Sequence, residues 1–200
     1  MPLEEFSESE PRDNIVVVSG LPRSGTSMMM AVLEAGGLPL LKDGIRTADD
    51  DNPKGYYEFE RVKKLPEGDF AWLPDAQGKV VKIISYLLLK LPDTYNFRVI
   101  FMQRKLAEIM ASQRKMLLRR GEDPDKVSED ELSEILEKHL DQVEAWIEAH
   151  ENIEQLVVDY NHMVKDPAKD VQRINQFLGG SLNVDKMVQV IDPSLYRQRA

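Results

Sequence analysis

The sequence predicts an α/β protein, three-layer α/β/α with a mainly parallel sheet. Short apolar runs alternate along the chain with longer segments of helical periodicity, and strands joined through helices pair in parallel. The first such unit, Ile15 to Gly37, is strand, glycine-bounded loop and helix in direct succession. The 200 residues, 42% of them apolar, suffice for one ordinary core. The expected layout is a polar tail over 1–13 and a single domain over 14–200.

Ile15, Val16, Val17 and Val18 are an apolar β-branched run, the mark of a buried strand. Met28 to Ala35 favours a helix, stopped by Gly36-Gly37. Residues 38–55 read as a loop; its acidic run Asp49, Asp50, Asp51 reads as solvated rather than metal-binding, and Asn52-Pro53-Lys54-Gly55 as a turn. Tyr56 to Leu65 has helix-forming character, with Glu58 and Arg61 about one turn apart on one face. Residues 66–78 read as a loop whose Trp72 serves core or lid packing. Lys79 to Ile84 is a second strand, and a lysine buried in it at Lys82 demands a partner.

Asn96 to Met102 is a third strand, followed by a helix from about Leu106 to Arg120 that ends at Gly121. Arg114, Lys115, Arg119 and Arg120 suit the negative end of that helix. Ser128-x-x-Glu131 is a capping box opening a helix to about His150. Gln155 to Tyr160 is a fourth strand. Asp166-Pro167 starts a helix that stops at Gly179-Gly180, and a last helix covers about Val184 to Ile191.

The first loop carries the chemistry. Gly20 and Gly25 let the backbone turn tightly and bring N–H groups near a ligand. The helix that follows adds unpaired N–H groups and the positive end of its dipole, and Arg23 adds a fixed charge suited to oxyanions. Gly20-x4-Gly25 has the spacing of a nucleoside-triphosphate loop, yet Thr26 stands where that loop has its lysine. Anion binding is therefore indicated more strongly than triphosphate hydrolysis.

Composition narrows the classes. A net charge of −9 argues against general nucleic-acid binding, so an anionic nucleotide must be held by local cations. There are no cysteines, which excludes disulfides and thiolate metal sites. His139, His150 and His162 lack metal-ligand spacing, and no metal is expected. No apolar run reaches membrane-spanning length and the acidic N-terminus has no signal-peptide core, so a cytoplasmic location is expected. A homo-oligomer is left open.

Leu21-Pro22-Arg23-Ser24-Gly25-Thr26-Ser27 after a strand resembles the 5′-phosphosulfate loop of sulfotransferases that use 3′-phosphoadenosine 5′-phosphosulfate (PAPS), of the bacterial type. The resemblance extends over residues 15–199. It implies a P-loop NTPase-like fold, PAPS as donor and a small-molecule acceptor. Pro22, Arg23, Ser24, Gly25, Thr26 and Ser27 would form the donor loop, with Arg23 on the sulfate-bridging phosphate oxygens. Arg104 and Ser112, eight residues apart, match the family's clasp on the 3′-phosphate. The segment NPKGYYE resembles the family's N-P-x-G-[YF]-x-E, which makes Glu58 the candidate base, with Glu60 second. Lys82 matches the lysine of the K-T-H strand end of cytosolic members, but Ile84 replaces its histidine, which moves the base to Glu58. VVDYNHM loosely resembles a family segment around the fourth strand, and Arg197 and Arg199 match tail arginines that reach the nucleotide in some relatives.

Two rivals stand beside this reading. One is a nucleotide kinase or NTPase with a degenerate loop, in which Asp159 would bind Mg²⁺. The other is a non-catalytic nucleotide-binding relative, suggested by the missing histidine.

Overall fold

The computed structural model describes residues 14–45 and 55–193. Its centre is a four-stranded sheet in the order β2-β1-β3-β4. The strands are β1 (Asn14–Gly20), β2 (Val80–Lys82), β3 (Asn96–Gln103) and β4 (Ile153–Asp159). All neighbours run parallel, with Val17 opposite both Val81 and Val99, and Val99 opposite Gln155. The alternation of side chains across a strand then makes two faces. Val16, Val18, Ile100, Met102 and Val158 face one core; Ile15, Val17, Val81, Val99 and Phe101 face another.

Helices cover both faces. The first core is closed by α1 (Thr26–Ala35), α6 (Tyr160–Lys165), α7 (Pro167–Phe177) and α8 (Val184–Val190), through Met29, Met30, Leu33, Met163, Ile174 and Met187. The second is closed by a 3₁₀ helix (Glu60–Glu67), α2 (Leu73–Ala76), α3 (Ser85–Leu88) and α5 (Glu129–Glu148), through Leu65, Trp72, Leu88, Val143 and Ile147. Helix α4 (Leu106–Arg119) leans on α5 through a third, smaller cluster of Leu21, Ile109 and Leu136. This is the three-layer α/β/α arrangement, P-loop NTPase-like, with a wholly parallel sheet. No described helix is long and apolar enough to cross a membrane.

Several local expectations change. Residues 56–59 form an irregular segment rather than a helix, and the helix that follows is 3₁₀, with Pro66 inside it. Arg61 therefore does not meet Glu58; it forks onto Asp69, at 3.0 and 2.6 Å. Glu60 does pair with Lys63, at 2.7 Å. The second strand stops at Lys82, after which Ile84 opens the short helix α3. Residues 66–78 contain the turn α2. Trp72 is core: its indole N–H donates to the Asp69 carbonyl at 2.9 Å and its ring meets the edge of Phe59. The fourth strand begins at Ile153 and ends at Asp159, and the unexpected α6 takes Tyr160. Ser128 caps the helix as expected, its Oγ accepting from the Glu131 N–H at 3.2 Å. Residues 1–13, the acidic run Asp49–Asp51, Arg197 and Arg199 lie outside the described residues.

His139 is a packed helix residue. Its Nε2 lies 2.9 Å from Ser85 Oγ and its ring stacks on Tyr86 at 3.8 Å. Burial holds its pKa below the usual histidine range. The unfolded chain takes up this proton near pH 6.5, approximately, while the fold keeps the ring neutral. The stability that His139 carries is thus complete above that pH and lost as pH falls toward the folded value. In an NMR titration the His139 ring is expected to have its midpoint below that of a free histidine; a midpoint at or above it contradicts the burial argument.

Candidate functional site

The strand order places the site. From β1 the chain crosses to β2 on one side and then to β3 on the other, so the sheet changes direction between β1 and β3. Parallel sheets bind ligands beyond the strand ends at such a point. The register fixes which residues arrive there. Val18 lies opposite Lys82, and Gly20 lies opposite Met102, two residues before Arg104. The end of β1 is thus flanked by Lys82 on one side and Arg104 on the other.

The loop between β1 and α1 is tightly wound. Arg23 has φ 73° and Gly25 has φ 102°, both left-handed. At Gly25 a β-carbon would lie 2.3 Å from a ring carbon of Tyr160, so only glycine fits. At Gly20 it would lie 2.5 Å from Ser24 Oγ. The Ser24 hydroxyl is buried within the loop, against Gly20, and has no hydrogen-bond partner among the described residues. The Ser24 N–H donates to the Leu21 carbonyl at 3.1 Å, closing the turn. The Ser24 N–H is thus engaged within the loop. Gly25, at the start of α1, has no side chain to cap the helix, and the first N–H groups of a helix have no partner inside it. Pro22 is exposed at the loop's outer edge.

Arg104 joins β3 to this loop. Its Nη1 donates to the Arg23 carbonyl at 3.0 Å and its Nε to Glu108 Oε2 at 2.9 Å. The guanidinium lies over the Tyr160 ring, 4.6 Å from its centre. Arg23 Nε in turn donates to Ser112 Oγ at 2.9 Å. The Arg–Ser pair that the resemblance implies is therefore linked through Arg23: Ser112 receives Arg23, while Arg104 takes the Arg23 carbonyl.

On the other flank, Lys82 donates to the Tyr56 carbonyl and lies 3.7 Å from Glu58 Oε1. Ser27 Oγ donates to the same carbonyl at 3.4 Å. Tyr57 is held at φ 54°, a rare conformation for a bulky residue. Burial raises its phenol pKa; Glu34 adds to the rise and Lys42, whose ammonium stands over the ring, opposes it. Glu58, Lys82 and Ser27 are thus brought together. The lysine in β2 has the partners its burial demanded.

The sequence reading missed Tyr56, Glu108, Tyr160 and Asn161. Glu108 had a local signal, four residues after Arg104 on one helix face. Tyr160 and Asn161 had none, because the start of α6 meets the loop only through the fold. Asp159 caps α6, accepting the His162 N–H at 2.8 Å, a structural role. Among the described residues no group of carboxylates and histidines forms a metal cluster.

The geometry suits a polyanion. An uncapped helix start, two arginines, a lysine and the hydroxyls of Ser27 and Ser112 gather at one end of the sheet of an acidic chain. These features define an α/β protein with a cluster of anion-compatible donors at the strand ends. The family is given by comparison: the model of the sulfotransferase domain matches residues 13–198, and the chain belongs to that family. The sulfotransferase domain of the olefin synthase of Synechococcus PCC 7002 is similar in structure, with TM-score 0.53 and 15% identity, over 100% of this chain and 92% of that one. A mouse sulfotransferase complexed with PAP gives TM-score 0.49 and 18% identity, over 90% of this chain and 63% of that one. A sugar kinase from Janibacter sp. HTCC2649 gives 0.44 and 14%, over 91% and 97%. The first likeness is one of fold, and the other two are too low to bear on function. No protein of curated function matches the sequence.

Replacing Gly25 by Ala is expected to destabilise the protein by more than about 1 kcal/mol, because the new methyl meets Tyr160 at positive φ. Thermal melting of the variant measures this; an unchanged midpoint would show that the loop is not wedged against that ring.

Proposed function

We propose that the protein transfers a sulfuryl group from PAPS to the hydroxyl or amine of a small-molecule acceptor. The observation that carries this reading is the register of β1 against β3. It sets Arg104 against the phosphate loop, with its guanidinium on the Arg23 carbonyl and Ser112 beyond on Arg23 Nε. A nucleotide phosphorylated at the 5′ and 3′ positions needs two anion sites within one cleft. The loop supplies one and the Arg104–Ser112 side supplies the other.

The bound donor supplies the sulfuryl group and a stable leaving group, adenosine 3′,5′-bisphosphate. The N–H groups of Gly25, Thr26 and Ser27 hold the 5′-phosphate at the positive end of α1. Arg104 and Ser112 hold the 3′-phosphate. The Ser112 hydroxyl already accepts Arg23 Nε, so it has a proton to offer a phosphate oxygen. Arg23 and Lys82 neutralise charge as it develops on the bridging oxygen. Glu58 accepts the acceptor's proton while the new bond to sulfur forms and the bond from sulfur to the bridging oxygen breaks. Lys82 stands 3.7 Å from Glu58 Oε1, so the cation and the proposed base are neighbours on one flank of the loop.

Calorimetric titration with adenosine 3′,5′-bisphosphate and with ATP plus Mg²⁺ tests the donor. Tighter binding of the bisphosphate is expected; tighter binding of ATP with Mg²⁺ overturns the assignment. Turnover tests the base. With an acceptor in hand, Glu58→Gln is expected to lower kcat about 10²- to 10⁴-fold. An unchanged kcat removes Glu58 from that role, and donor binding without transfer to any acceptor in a broad panel identifies a non-catalytic binder.

A further inference from the structure

Behind Arg104 lies a carboxylate that the proposed reaction does not use. The Glu108 side chain is 0% exposed. Burying a carboxylate is costly unless it is paired and hydrogen-bonded. Here it receives Arg104 Nε at 2.9 Å, and Asn161 Nδ2 donates to its two oxygens at 2.8 and 3.0 Å. Asn161 also turns its carbonyl oxygen to the Lys105 N–H, at 3.5 Å. Its neighbour Tyr160 lies under both the Arg104 guanidinium and Gly25. The start of α6, the first turn of α4 and the loop after β1 are thereby joined through one side chain.

We propose that Glu108 and Asn161 are positioning residues for the phosphate loop, acting through Arg104 on the Arg23 carbonyl. The proposal rests on reading that loop as the 5′-phosphate cradle. Arg23 is held at φ 73°, where a side chain is strained, and its carbonyl accepts Arg104 Nη1 at 3.0 Å. A guanidinium is planar, so fixing its Nε on Glu108 aims Nη1 at that carbonyl. Glu108 is in turn oriented by an amide that donates to both its oxygens. Arg104 therefore has two duties: one face steadies the loop, while the remainder meets the 3′-phosphate.

The two duties separate by ligand. Wild type and Glu108→Gln are titrated with 5′-AMP and with 3′-AMP. In the variant the 5′-AMP affinity is expected to fall about tenfold or more, the scale seen when an outer partner of a ligand-holding group is lost. An unchanged 5′-AMP affinity, whether or not 3′-AMP weakens, overturns the proposal. The double variant Glu108→Gln with Asn161→Asp exchanges donor and acceptor and is expected to recover most of the lost affinity; no recovery also overturns it. Hydrogen exchange supplies a readout that needs no nucleotide. In Glu108→Gln the amides of residues 21–27 are expected to exchange faster while those of β1 and β4 keep their rates. A uniform rise across the sheet reduces Glu108 to a stability role and overturns the proposal. Should wild type bind neither nucleotide, the donor assignment fails, and the exchange result still decides the positioning claim.

Discussion

Gly25 lies against the ring of Tyr160 with no space for a β-carbon, and the rest of the site follows from that contact. It forces the loop after β1 into left-handed turns, which lay the start of α1 beside the end of the sheet. The same ring carries the Arg104 guanidinium on its face. One aromatic side chain thus sets both the path of the loop and the height of the cation beside it. Parallel register supplies the remainder, because Gly20 opposite Met102 leaves Arg104 no other place to emerge.

The electrostatics are local. The chain is acidic overall, so the cations at the strand ends act against the general field. They are held at the strand ends by backbone carbonyls and by carboxylates that are buried or partly buried. Lys82 rests on the Tyr56 carbonyl and near Glu58; Arg104 rests on Glu108 and the Arg23 carbonyl. Each cation is therefore placed before any ligand arrives, which lowers the ordering cost of binding. The arrangement also links the loop to β2, since the Tyr56 carbonyl receives both Ser27 from the loop and Lys82 from β2.

The alternation of strands and helices was legible in the sequence because β-branched runs and helical periodicity are local signals. The phosphate loop was legible for the same reason: Gly20, Arg23 and Gly25 stand within six consecutive residues. Arg104 and Ser112 were named from the family resemblance; the register brings Arg104 to the loop, and Ser112 meets it through Arg23 Nε. What the sequence hid was non-local. The pairing of Ser112 with Arg23, and of Asn161 with Glu108, depends on how far apart helices pack. The segment after Gly55 misled in another way. Its composition favours a helix, yet Tyr56 gives its carbonyl to Lys82 and Ser27, and Glu58 turns its carboxylate toward Lys82, which an ordinary helix there would not allow. The demand for tertiary partners overrode local propensity.

The central claim is that one cleft grips a nucleotide at two phosphates, the loop taking the 5′ group and the Arg104 side taking the 3′ group. A crystal structure of the protein with adenosine 3′,5′-bisphosphate tests this most directly. The account predicts the 5′-phosphate on the N–H groups of Gly25, Thr26 and Ser27, and the 3′-phosphate within hydrogen-bond distance of Arg104 and Ser112. A nucleotide whose 3′-phosphate points into solvent, or lies elsewhere than beside Arg104, would contradict it.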